Sequence, residues 1–276
     1  MNTDQLKWSN WISLDAPLED YQSNITTKSG FYRIRITGTS KLAYLGQTGL
    51  SLRSRTRALA RNTFGKSPPW NDPHTAAPGL WAWHIEENYS YDLSVAELLV
   101  STAERQCIED SLLFEYRLRT GESTLCNHGL FHHKWLRPSN KNKGTKMRKL
   151  LPNESHNRLK SLPPPNFKGQ PDSLDWLSLT WTNFHPLNES KNFSPRSSGV
   201  YRLMEENEIV YFGESKNLNS RLVGHSRIFK DKEISVSWSV MPDALPHNLK
   251  ERETDLIGAY YKQMNQPPKY QYHSKK

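Results

Sequence analysis

Five side chains in the C-terminal part of the chain, Tyr201, Tyr211, Arg221, His225 and Glu253, have types and spacings that suit chemistry on a charged oxygen group. Arg221 and His225 stand four residues apart, so on a helix they share a face. An arginine fork can grip a phosphate oxygen through two N–H groups. The imidazole one turn later can hold the same anion or carry a proton. Lys216, just after Gly213, adds positive charge at the mouth of that place. The two tyrosines admit two readings: core residues with satisfied hydroxyls, or phenols near a cation whose lowered pKa lets one take a proton from water. Glu253 lies in Glu-x-x-Leu-Ile, twelve residues before Asn265. A carboxylate is a natural anchor for Mg²⁺, which keeps most of its own waters, so one Glu suffices in principle. The commoner role of a helix Glu is a solvated charge.

Most of this set occurs twice. Ser29-Gly30-Phe31-Tyr32-Arg33, Ala43-Tyr44-Leu45-Gly46 and Leu52-Arg53-Ser54-Arg55 correspond to Ser198-Gly199-Val200-Tyr201-Arg202, Val210-Tyr211-Phe212-Gly213 and Leu218-Asn219-Ser220-Arg221. Pro17-Leu18 matches Pro186-Leu187 upstream, and Glu109 with Asn127 follow in one copy as Glu253 with Asn265 do in the other. Two copies at so long a period predict two globular units rather than a solenoid.

These residues resemble the GIY-YIG nuclease superfamily in two tandem copies. The strand motifs are Gly30-Phe31-Tyr32 with Tyr44-Leu45-Gly46, and Gly199-Val200-Tyr201 with Tyr211-Phe212-Gly213. The order Arg, His, Glu, Asn follows in the second copy as Arg221, His225, Glu253, Asn265. The resemblance implies a divalent-metal-dependent endonuclease that hydrolyses phosphodiester bonds of double-stranded DNA, using Mg²⁺ or Mn²⁺. It implies Glu253 and Glu109 as metal ligands. It also implies one tyrosine of each pair as the base or water-orienting group, with the other beside the phosphate. Tyr32, Tyr44, Arg55, Glu109 and Asn127 are then the first copy's site. Aligning Leu52 with Leu218 puts Arg55 on Arg221 and Arg61 on Arg227, but Leu59 on His225. The first copy therefore lacks the helix histidine, and its Glu-to-Asn spacing is eighteen residues rather than twelve. His84 is a candidate substitute, and the second copy is the expected catalytic centre.

The elements that must position these residues are also legible. Alternating β-branched and aromatic residues predict hairpins over 31–36 with 42–46 and over 200–204 with 209–213. Helices follow over 51–61 and 217–229, strands over 91–99 and 234–241, and helices over 103–119 and 250–264. Leu249, Leu256, Ile257, Tyr260 and Tyr261 give the last helix a buried stripe, with Glu253 at its edge. The expected class is α+β: two small domains, each a short, mainly antiparallel three-stranded sheet flanked by helices. Boundaries are expected at 1–136, a basic proline-containing linker at 137–172, and 173–276. Apolar-aromatic openings (Trp8, Trp11 and Leu14; Trp176, Leu177 and Trp181) are expected to pack on the sheets. The first copy alone inserts 62–87, rich in Trp and Pro. That tract either reads nucleic acid or caps the core.

The net charge of +9 is concentrated. Arg137, Lys141, Lys143, Lys146, Arg148, Lys149, Arg158, Lys160 and Lys168 face one acid, Glu154, in the same stretch. Such a tract favours phosphate neutralisation over a merely solvated linker. Lys216, Arg227, Arg61, Lys141, Lys143, Lys146, Arg148 and Lys149 are the expected nucleic-acid contacts. No run is long and apolar enough to span a membrane. The opening Met1 to Lys7 does not read as a secretory leader. Cys107 and Cys126 make no disulfide framework, so a reducing cytoplasm is expected. Cys126, His128, His132 and His133 have no second Cys/His pair at finger spacing, so a closed zinc site is not expected.

A restriction or defence nuclease acting as a monomer, with its two units as an intramolecular pseudo-dimer, is the leading expectation. The alternatives are a repair or mobile-element nuclease, or a non-catalytic nucleic-acid-binding protein on the same fold.

Overall fold

The computed structural model describes residues 6–72, 74–156 and 160–272. Arg158 of the basic tract, Pro73 of the insertion and Met1–Gln5 lie outside the described residues. The chain divides into two compact units, Asn2–Arg105 with Ser123–Ser161, and Gln106–Glu122 with Leu162–Lys276. These bounds differ from divisions at 136 and 173, because a helix of the first repeat groups with the second unit.

The first unit holds β1 (Ile12–Ser13), α1 (Leu18–Asn24), β2 (Gly30–Ile36), β3 (Leu42–Thr48), α2 (Leu52–Thr63), α3 (Ala77–Glu87) and β4 (Tyr91–Glu97). It also holds the first turn of α4 (Thr102–Thr120), then β5 (Trp135–Leu136) and β6 (Arg148–Lys149). The main sheet is antiparallel, in the order β1-β4-β2-β3. It has four strands rather than three, because the aromatic opening adds β1 at one edge. The Arg33 guanidinium lies 4.3 Å from the Trp8 ring centre and Arg35 4.3 Å from that of Trp11. Tyr32 and Ile34, two apart on β2, enter one core with Leu52 and Leu59 of α2 and Leu80 of α3. Ser51 starts α2 by accepting the Ser54 N–H.

The second unit repeats the order with β7 (His185–Pro186), α5 (Ser190–Phe193), β8 (Gly199–Glu205), β9 (Glu208–Ser215), α6 (Leu218–Ile228), β10 (Ile234–Val240) and α7 (Pro246–Met264). Its sheet, β7-β10-β8-β9, is also antiparallel. Register is shared as well: Tyr32 pairs with Gly46 and Tyr201 with Gly213, and each hairpin carries one irregularity, at Ile34/Arg35 and at Leu203/Met204. Asn217 caps α6 through the Ser220 N–H. α7 packs on the α4 segment of this unit. A Cβ on Gly258 would meet the Asp110 carbonyl oxygen at 2.5 Å, so only glycine permits that approach. Arg117, fully buried, donates to Asp255 at 2.8 Å and lies 3.4 Å from Glu251. Burying these charges is tolerable because they are mutually paired.

Residues 137–156, read from sequence as the start of a linker, are packed rather than open. β5 pairs with β6, and Met147 is buried with Trp81, Phe131 and Trp135 in a second small core. No helix among the described residues is long and apolar enough to cross a membrane.

Candidate active site

In the second unit the hairpin and α6 bring three side chains into one chain of hydrogen bonds. Arg221 Nε donates to the Tyr201 hydroxyl at 3.0 Å. Tyr201 Oη lies 2.8 Å from His225 Nε2. The Tyr201 hydroxyl thus joins the guanidinium of Arg221 to the imidazole of His225, and the His225 tautomer sets which of the two donates between them. Tyr211 completes the cluster, its ring centre 6.0 Å from that of Tyr201 and 5.3 Å from that of His225. The glycine of Tyr211-Phe212-Gly213 has a steric reason. A Cβ at Gly213 would overlap the Tyr201 hydroxyl, its cross-strand neighbour.

Glu253 joins this group from α7. Its carboxyl is pushed up to about 7, first by burial and then by the negative charge of Glu214, against the opposing pull of Arg221, the Glu214 N–H and Lys250. Glu214 follows Gly213 on β9, so hairpin and helix together set a pair of carboxylates. The two charges repel in a partly dry place, which a divalent cation would relieve, so the donor set fits the oxygen-preferring ion that the resemblance implies. Among the described residues, no group of three or more His, Cys, Asp or Glu side chains forms a cage. Lys216, Arg221 and His225 line one open pocket with Asn217 and Ser220. Arg227 is exposed on the following turn.

One expectation changes direction. Tyr201 is fully buried, and burial raises its pKa well above the ordinary value, outweighing Arg221. Tyr211 is also raised, again mainly by burial. Both phenols are thus held toward their protonated form, opposite in direction to the lowered pKa expected of a phenol near a cation. His225 is the imidazole of the hydrogen-bonded trio, buried against Tyr201 and Tyr211.

The first unit repeats the frame with different contents. Arg55 Nε lies 3.4 Å from the Tyr32 hydroxyl. The Tyr32 and Tyr44 ring centres are 6.0 Å apart. A Cβ at Gly46 would meet the Tyr32 hydroxyl at 2.8 Å. At the helix-histidine position Leu59 is core, 1% exposed. At the position of Glu214 stands Gln47, whose Oε1 accepts from Arg105 Nε at 2.7 Å. His84 does not supply the missing imidazole. Its Nδ1 lies 2.8 Å from the Tyr89 carbonyl oxygen and its ring packs edge-on against Phe64. Glu109 is half-buried on the part of α4 that belongs to the second unit. There its charge and that of Glu253 both act on buried Asp110.

The correspondence of Asn127 with Asn265 is corrected. Asn127 clamps β3: its Oδ1 accepts the Leu45 N–H at 3.0 Å and its Nδ2 donates to the Leu45 carbonyl at 2.8 Å. In the second unit the matching strand residue, Phe212, donates its N–H to Gln271 Oε1 at 2.9 Å. Gln271 stands eighteen residues after Glu253, as Asn127 does after Glu109. Asn265 instead ends α7 in the left-handed region, with φ 55°. Gly121 ends α4 the same way, with φ +79°. Each lies twelve residues beyond its Glu. The apparent difference in spacing came from pairing a strand clamp with a helix cap. The repeated interval of eighteen was the signal that could have revealed Gln271.

Of the expected nucleic-acid contacts, Lys141, Lys143 and Lys146 are exposed, with Arg61. Arg148 is paired with Glu154 at 2.7 Å and Lys149 with Glu86 at 2.8 Å. In the insertion Trp81 and Trp83 are buried, so these rings cap the core. Comparison of the chain with family models, with curated proteins and with solved structures finds no match.

Proposed function

We propose that the second unit is the cutting centre of a divalent-metal-dependent DNA endonuclease of the GIY-YIG type. The observation that carries this reading is that Tyr201 hydrogen-bonds both Arg221 and His225, that these two line a pocket with Lys216, and that Glu253 acts electrostatically on Tyr201 and with Arg221. In this reading Arg221 and Lys216 hold a backbone phosphate at the pocket mouth. Glu253, with Glu214 beside it, holds Mg²⁺ or Mn²⁺, which when bound supplies charge stabilisation and a more acidic water. His225 receives a proton, and Tyr201 fixes its ring while sharing a hydrogen bond with Arg221. Tyr211, only partly buried, orients the attacking water. The basic surface of Lys141, Lys143 and Lys146 supplies sequence-independent attraction to double-stranded DNA. With two units in one chain, a restriction or defence enzyme working in the cytoplasm as a monomer is the biological role we favour.

Supercoiled plasmid incubated with Mg²⁺, with Mn²⁺ and with EDTA tests the reading. Cleavage with either metal, absent with EDTA and abolished by Glu253→Gln, is the expected outcome. Cleavage by Glu253→Gln at the wild-type rate would remove Glu253 from the centre.

A further inference from the structure

The first unit lacks the helix histidine, yet a buried imidazole there stands in the electrostatic field of its arginine. His74 lies in the insertion that the second unit lacks, just ahead of α3. It is 3% exposed, and neither ring nitrogen has a hydrogen-bond partner. Buried polar groups are nearly always satisfied, and an exception calls for a cause such as a missing ligand, ion or water. The charges acting on this ring are both positive, Arg55 and Arg61. They add to burial in holding its pKa down at about 4. The ring is therefore neutral, with one open donor and one open acceptor in the field of two guanidinium groups. Arg55 is the residue that reaches the Tyr32 hydroxyl, as Arg221 reaches Tyr201 in the other unit.

We propose that His74, Arg55 and Arg61 form a phosphate-binding subsite of the first unit, built to take a phosphodiester group of nucleic acid. The insertion thus delivers from a loop the imidazole that α6 delivers from a helix. An incoming phosphate oxygen accepts the open ring N–H and both guanidiniums and offsets the positive charge. Trp81 and Trp83 are buried in the same insertion, so the tract anchors His74 and does not itself stack on bases. The subsite rests on the nucleic-acid reading above but not on cleavage by the second unit.

The test is NMR of the full chain with labelled histidine rings, carrying Glu253→Gln to prevent cutting. The His74 signals are assigned by their loss in His74→Gln. Two probes are titrated separately, inorganic phosphate and a short duplex DNA. Saturable movement of the His74 ring signals with duplex and not with millimolar phosphate is the expected result and identifies the nucleic-acid backbone as the source. Movement with phosphate alone keeps the subsite but assigns it to a free anion. Arg61→Gln, at an exposed position that cannot unfold the core, should weaken the response about five-fold. If neither probe moves His74 while duplex still binds elsewhere, the ring is satisfied by water and the proposal is overturned. If His74 moves with duplex but the wild type never cuts plasmid, the subsite stands and the nuclease reading falls. If duplex does not bind at all, both fall.

Discussion

The two units share a frame and differ in what fills it. Both hairpins pair a tyrosine with a glycine, both place a second tyrosine beside it, and both bring an arginine to the first tyrosine's hydroxyl. Both clamp the second strand with a carboxamide eighteen residues after the helix Glu. The differences lie at the reacting groups. His225 becomes Leu59, and Glu214 becomes Gln47, neutral and held by Arg105. The units thus agree in their scaffold interactions and differ in the groups placed on them. The second unit has an imidazole and two carboxylates, Glu253 and Glu214, at this place, and the first has Leu59 and Gln47 at the positions of His225 and Glu214.

The largest effect expected from erasing that difference is in His225→Leu, which gives the second unit the first unit's residue. The change should cut kcat by about 10²- to 10⁴-fold with little effect on DNA affinity, read by single-turnover cleavage. A loss below ten-fold would mean that His225 carries no proton.

The shared clamp should matter for stability. Gln271→Leu leaves the buried Phe212 N–H without its acceptor. It should destabilise the protein by about 1–3 kcal/mol in urea unfolding. An unchanged midpoint would show that the clamp is incidental.

The carboxylate pair predicts a pH signature. Glu253 in the folded protein titrates near 7, above the usual 4.5, so folding favours its protonated form. Its stabilising contribution is present below about pH 4.5 and is lost as pH rises through 7. Glu253→Gln should therefore be more stable than wild type at pH 8, by on the order of 2 kcal/mol without divalent ions. The gain should fade toward pH 5. Equal melting curves at both pH values would mean that Glu253 is solvated.

The smallest effect concerns the basic surface. Arg148 and Lys149 already have carboxylate partners, so Lys141, Lys143 and Lys146 are the residues to reverse. Changing all three to Glu should weaken binding to every duplex and reduce the slope of log K against log salt by up to about 0.9 per lost contact. An unchanged slope would leave them as solvated charges.

Local periodicity made most of the frame readable. The strands, the helices and the positions of Tyr201, Arg221 and Glu253 follow from alternation, caps and repeated spacing. What escaped depends on long-range contacts. The clamp by Gln271 joins residues 59 apart in sequence, marked only by its standing eighteen residues after Glu253, the interval of Glu109 to Asn127. The direction of the Tyr201 pKa turns on how completely the sheet and α6 bury it, which composition does not reveal. The burial of Trp81 depends on Trp135 and Met147, which read as part of a basic connector. α4 repeats α7 in sequence but groups with the second unit, a choice made by packing at Gly258 and by the ion pairs of Arg117.

The most direct test of the asymmetry is a plasmid time course comparing Glu253→Gln with Glu109→Gln in Mg²⁺. The account predicts that Glu253→Gln stops the first cut, leaving supercoiled DNA, while Glu109→Gln still cuts. Accumulation of open-circular plasmid by Glu109→Gln would show a slower second cut made through the first repeat, and linear product at the wild-type rate would show a first repeat that only binds. Cleavage by Glu253→Gln together with an inactive Glu109→Gln would contradict the account.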